Sequence, residues 1–218
     1  MALQNTCYKH KLNFTRYDPT GIGETKGVRF SEARYSDWLF DASQMLEKVV
    51  NPGKTVVIGS SLGGWMACYL ALKHPGKFDG LMLFCPAFNS GQFIWDLILS
   101  SVSEEDRRKL KAGETVRITS MGDWEEFEMC KDVRNDMIIH NLSLAPASIN
   151  VKCPVRILHA LDDKVIRFER TVNRDVVEMF KSDDVEVSLV KQGGHELVNE
   201  RCLEVVERMV CELVEKAK

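Results

Sequence analysis

Thr55-Val-Val-Ile-Gly-Ser-Ser-Leu-Gly-Gly-Trp65 joins a short apolar run to a helical pattern through a turn built of small residues. Gly59, Ser61 and Gly63 have the spacing G-x-S-x-G, with β-branched Val56, Val57 and Ile58 before it and the helix-forming run Trp65 to Lys73 after it. A strand that turns abruptly into a helix holds its central serine in a strained backbone conformation and lifts the Oγ clear of the sheet. Small neighbours are required where strand and helix pass closely, and Gly59, Gly63 and Gly64 supply them. The same turn aims the Leu62 N–H and the positive end of the helix at negative charge developing on a bound carbonyl. Small residues are also common in ordinary strand-to-helix turns, so Ser61 and Leu62 are candidates that the rest of the chain must support.

The 218 residues, 44% of them hydrophobic, suffice for one α/β domain with a sizeable core, expected to span 1–218. A formal net charge of -3, with acidic and basic residues well mixed, provides no electrostatic footprint for nucleic acid. A small organic substrate fits better. The seven cysteines are scattered without a C-x-x-C pair, which argues against a disulfide framework and against a zinc site, and points to an intracellular reducing compartment. No apolar run approaches the length of a membrane span, and the first residues carry neither a signal core nor an Arg-rich presequence.

On the N-terminal side of the turn, Leu3 to His10 reads as the end of a helix and Leu12 to Tyr17 as a short strand stopping at Asp18-Pro19. Gly21, Gly23 and Gly27 form a loop without dinucleotide-binding spacing. Trp38, Leu39, Ala42, Met45, Leu46 and Val49 recur at helical intervals within 31–50, ahead of a turn at Asn51-Pro-Gly53.

Beyond the serine helix, Gly80 to Phe84 is the continuous apolar run of a strand buried on both faces, and the alternation of strand and helix predicts a mostly parallel sheet. The next such run begins only at Cys153, so a helical insertion over the site is expected at 87–150. Within it, one helix starts at Ser103 with Asp106 in the capping-box position, and another runs from about Trp124 to Asn141. Its aromatic residues suit either an acyl pocket or the insertion's own core. A strand at Cys153 to His159 is followed by Asp162 and Asp163. A helix bearing Val172, Val176, Met179 and Phe180 comes next, then a strand at Val185 to Val190 that leads into Lys191-Gln-Gly-Gly-His195. The closing helix buries Leu203, Val206, Val210 and Leu213.

Ser61, an aspartate and His195 therefore follow the C-terminal ends of three strands of one sheet, in the chain order Ser, Asp, His. In this arrangement serine attacks an acyl carbon, histidine carries its proton, and the carboxylate orients the imidazole. Asp163 is the preferred carboxylate, with Asp162 left as the alternative. His159, ending its strand, reads as a structural hydrogen-bonding residue. No spacing implies a metal or an organic cofactor.

Four segments together carry a family resemblance: Tyr17-Asp-Pro-Thr-Gly-Ile-Gly23, Gly59-Ser-Ser-Leu-Gly-Gly-Trp65, Cys153-Pro-Val-Arg-Ile-Leu-His-Ala-Leu-Asp-Asp163 and Lys191-Gln-Gly-Gly-His195. In these the chain resembles the serine α/β-hydrolases that include bacterial carboxylesterases and an animal mitochondrial depalmitoylase also known as an acyl-glucuronide esterase. The resemblance implies an α/β-hydrolase fold with helices on both faces of the sheet and a helical lid. It also implies hydrolysis of ester or thioester bonds, small-molecule esters or S-acylated proteins as substrates, and a mitochondrial or cytoplasmic location. It supports Asp163, four residues after His159, as the acid of the triad. Ala160 stands where the family usually has glycine, and Arg167 where it often has proline. By resemblance, a strand and loop preceding the Leu3–His10 helix are missing from this sequence, and that loop supplies the second oxyanion N–H. The expectation is an N-terminally shortened hydrolase with a gap in its sheet between the Leu12–Tyr17 strand and the elbow strand. The alternative is a catalytically impaired protein of this fold that binds an acyl ligand or a partner.

Overall fold

The computed structural model describes residues 2–50, 53–119 and 126–217. In chain order the elements are α1 (Ala2–Lys9), α2 (Tyr35–Lys48), β1 (Val56–Ser60), α3 (Leu62–Lys73), β2 (Gly80–Phe84), α4 (Gly91–Ser101) and α5 (Glu104–Ala112). They continue with β3 (Val116–Ile118), β4 (Phe127–Met129), α6 (Lys131–Ile139), β5 (Val155–Ala160), α7 (Phe168–Thr171), α8 (Arg174–Glu178), β6 (Val185–Val190) and α9 (Glu200–Lys216). The expected turn residues Asn51 and Pro52, and Trp124, lie outside the described residues. No helix among the described residues is long and apolar enough to cross a membrane.

The described residues group into two compact units. The first draws on Met1–Arg16, Val50–Phe88 and Leu142–Lys218, and the second on Tyr17–Val49 and Asn89–Asn141. The first unit holds a four-stranded sheet of order β1-β2-β5-β6, parallel throughout. Leu81, Met82 and Leu83 of β2 are each fully buried, which a strand achieves only when both of its faces are covered. The amphipathic α9 covers one face, packing Val205, Val206, Met209, Val210 and Leu213 against Met82, Leu158, Ala160 and Val190. Asn199 caps this helix, its side chain accepting the Cys202 N–H at 2.9 Å.

Three expectations for this unit are corrected. Leu12–Tyr17 forms no strand, and the sheet has no internal gap, because β1, β2, β5 and β6 follow one another without interruption. Among the described residues β1 pairs with β2 alone, and Leu12–Tyr17 joins no ladder. The expected helix around Val172 to Phe180 is two short helices, α7 and α8, because the Asn173 side chain accepts the Val176 N–H at 3.1 Å and starts a new helix there.

In the second unit α2 and α4 each pack against α6. Trp95 and Ile98 of α4 and Tyr35, Trp38 and Leu39 of α2 are buried. The Asp136 carboxylate accepts the Ser36 N–H at 2.7 Å, satisfying an orphan donor at the start of α2. Ser103 caps α5 by accepting the Asp106 N–H at 3.1 Å. The helix predicted from Trp124 begins only at Lys131, for Phe127–Met129 pairs antiparallel with Val116–Ile118. Both segments are too short to display a period of two clearly, which hides such a ribbon in the sequence.

Candidate active site

Ser61 stands between β1 and α3 with φ 51° and ψ -120°, a left-handed backbone that a serine adopts only under constraint. Its N–H donates to the Phe84 carbonyl at 2.8 Å, and its own carbonyl accepts the Gly64 and Ala87 N–H groups at 2.9 and 3.0 Å. These bonds tie the turn to the end of β2 and hold the strain in place. A Cβ on Gly59 would lie 2.2 Å from the Gly63 carbonyl oxygen, and one on Gly64 would lie 2.8 Å from Pro86 Cβ, so strand and helix are as close as the sequence requires. Gly63 has open space around its α-carbon and is not held to glycine by contact. Leu62 is the first residue of α3, where backbone N–H groups lack helical partners.

Because the four strands run in parallel, the residues following β1, β2, β5 and β6 share one sheet edge. Asp162 and Asp163 follow β5, and His195 lies in the loop after β6. Asp163 Oδ2 accepts a hydrogen bond from His195 Nδ1 at 2.8 Å. Asp163 Oδ1 accepts the Val165 and Ile166 N–H groups at 2.8 and 2.9 Å. Burial works against the charged carboxylate, yet the bonds from His195, Ile166 and Val165 together hold it below the usual aspartate range. With Nδ1 donating to Asp163, Nε2 is the acceptor nitrogen of the neutral His195 ring. The His195 side chain keeps 17% exposure whereas the Asp163 side chain has none.

The profile described as serine aminopeptidase, S33, matches residues 3–142, the greater part of the chain and the stretch containing Ser61. The chain belongs to the serine aminopeptidase S33 family.

Its fold is that of the α/β-hydrolases, and fold and family together place this S33 member among hydrolases. The mitochondrial palmitoyl-protein thioesterase ABHD10 of Mus musculus is 25% identical over 217 residues, covering 99% of this chain and 70% of its own. The Homo sapiens protein of the same name is 21% identical over 217 residues, covering 99% and 68%. Among solved structures, alpha/beta hydrolase domain-containing protein 10 from mouse superposes with a TM-score of 0.81 and 25% identity, over 100% of this chain and 83% of its own. Est1E from Butyrivibrio proteoclasticus with bound ferulic acid has a TM-score of 0.75 and 17% identity, over 99% and 81%, a likeness of fold.

Sequence reasoning missed two features of this S33 family member. Asp162 Oδ1 accepts the N–H groups of both Gly193 and Gly194 at 2.9 Å, pinning the backbone just before His195. The bonds from Gly194 and Gly193 hold its carboxyl below the ordinary range. A diglycine opposite a pair of aspartates is the signal that was available, and although Asp163 was preferred for the ring, nothing assigned Asp162 to the backbone of Gly193 and Gly194. The second feature is the buried group of Cys85, His159 and Asp163, which topology alone assembles. Burial pushes the Cys85 thiol up to about 12, and burial also lowers His159 below the usual imidazole value.

Proposed function

We propose that the chain is a serine hydrolase that cleaves acyl thioesters and carboxylic esters through an acyl-enzyme, with Ser61, His195 and Asp163 as its triad. The observation that carries this reading is the 2.8 Å bond from His195 Nδ1 to a buried carboxylate that two backbone N–H groups already hold ionised. Ser61 Oγ attacks the acyl carbon while its proton passes to His195 Nε2, and Asp163 stabilises the imidazolium without taking the proton. The Leu62 N–H donates to the oxyanion of the tetrahedral intermediate. As that intermediate collapses, His195 returns the proton to the departing sulfur or oxygen. Water then attacks the acyl-serine, gives one proton to His195 and releases the carboxylic acid, and Ser61 recovers its hydrogen from the ring.

The substrate class rests on the relatives named as palmitoyl-protein thioesterases, which favour S-acylated cysteine or a small acyl thioester. Their mitochondrial location is carried over on the same ground. The test is labelling of the purified chain with a fluorophosphonate, beside Ser61→Ala, together with hydrolysis of a palmitoyl thioester and a p-nitrophenyl ester. Labelling and turnover that both vanish in Ser61→Ala are expected. An unlabelled Ser61, with acyl-ligand binding that survives Ser61→Ala, would overturn the hydrolase reading in favour of an acyl-binding protein.

A further inference from the structure

Cys85 is placed at the end of β2 by its N–H bond to the Leu158 carbonyl at 2.9 Å, beside β5, which carries His159. Cys85 and His159 have no exposed surface and Asp163 has 4%. Each offers one donor atom, and the three donors lie within 4.8 Å of one another. His159 Nδ1 faces the Ala160 carbonyl at 3.0 Å and therefore carries the ring proton. Nε2 is then a bare lone pair, buried and without a hydrogen-bond partner among the described residues. A polar atom left in that condition calls for an explanation, and a metal ion supplies one.

We propose that Cys85, His159 and Asp163 form a binding site for a thiophilic divalent metal ion of the zinc class, whose entry takes Asp163 from His195 and inhibits the enzyme. Sulfur, imidazole nitrogen and carboxylate oxygen are the donors that zinc selects, whereas calcium and magnesium prefer oxygen alone. Metal–donor bonds of about 2.0–2.3 Å require the three donors to close in, a movement that rotation of the Cys85 and Asp163 side chains supplies. Coordination releases one proton, from the Cys85 thiol to solvent, and no electrons move. Thiolate and carboxylate then balance the two positive charges, so the buried site is neutral. His195 Nδ1, 2.8 Å from Asp163 Oδ2, either loses its partner or becomes the fourth ligand, and in both cases the imidazole no longer serves Ser61.

The inhibitory half of this proposal rests on the triad reading, while the metal-binding half does not. Cys211 offers a competing surface site, since its Sγ is 3.4 Å from His10 Nε2 and that nitrogen is 3.1 Å from Glu207. Measurements therefore use the full chain carrying Cys211→Ser. Titration with Co²⁺ is expected to produce a thiolate-to-cobalt charge-transfer band that saturates at one equivalent, and Zn²⁺ is expected to displace the cobalt. Cys85→Ser and His159→Gln, each shown to be folded by circular dichroism, should weaken binding by at least about 100-fold, since even outer-shell losses cost 10–100-fold. In ester hydrolysis, Zn²⁺ should inhibit the parent and spare both variants. The absence of a charge-transfer band, or equal zinc inhibition of parent and variants, would overturn the site. If the chain proves inactive the triad reading fails, and the cobalt spectrum still decides the metal site.

Discussion

Asp163 and His195 are joined by a 2.8 Å hydrogen bond whose carboxylate end is fully buried and whose imidazole end reaches solvent. This polarity suits the proposed triad, with the carboxylate shielded from water and the imidazole open to solvent. Asp163→Asn preserves the shape but supplies an amide that cannot stabilise an imidazolium. Turnover should fall by about 10⁴-fold, as for triad aspartates elsewhere, with little change in the fluorophosphonate label's position. Loss of less than about tenfold would remove Asp163 from the triad.

Asp162 acts one step further out, on the backbone that carries His195. Asp162→Ala frees the Gly193 and Gly194 N–H groups and loosens the loop, so turnover should drop roughly tenfold, far less than at Asp163. Asp162→Asn should recover most of the loss, since its side-chain oxygen still accepts both bonds. Steady-state kinetics that rank Asp162→Ala equal to Asp163→Asn would contradict this division of roles.

The elbow glycines separate by contact. Gly59→Ala forces a methyl to 2.2 Å from a carbonyl oxygen and should cost about 3 kcal/mol or more. Gly63→Ala meets nothing within 4 Å inside α3 and should be neutral or stabilising by up to about 1 kcal/mol. Urea midpoints measure both, and a tolerated Gly59→Ala would show the turn to be looser than described.

Arg156 is expected to contribute to the acid limit of stability. Its buried guanidinium meets Asp184 at 2.8 Å and Glu212 at 2.5 Å, with Glu186 at 3.6 Å. The bond to Arg156 is the main reason that Asp184 and Glu212 are held below their ordinary values. Groups so depressed contribute stability that is full above their unfolded values near pH 4 and is lost as pH falls through the folded values. Melting temperature should thus fall on acidification below about pH 4, and Arg156→Met should flatten that fall. An unchanged acid slope in Arg156→Met would assign the transition to other carboxylates.

The parts of this protein readable from one dimension are those set by neighbours in sequence. Val56 to Trp65 shows a strand, a turn of small residues and a helix, and Ser61 stands at its centre, because steric limits on the backbone act over a few residues. The run of β2 was legible for the same reason, with burial on both faces written as unbroken hydrophobicity, and β6 was legible in the alternation of Val185 to Val190. Pairing across the chain was legible only in part, since Asp163 was preferred for His195 while the bonds of Asp162 to Gly193 and Gly194 were not foreseen. Which aspartate meets His195 and which holds Gly193 and Gly194 depends on side-chain direction across a gap of some thirty residues, and both acids have the same chemistry. Leu12–Tyr17 alternates as a strand does, yet a strand exists only where a neighbour completes its hydrogen bonds. Cys85, His159 and Asp163 become a cluster only when β2 and β5 lie side by side, since their proximity is a property of the sheet and not of any spacing between them.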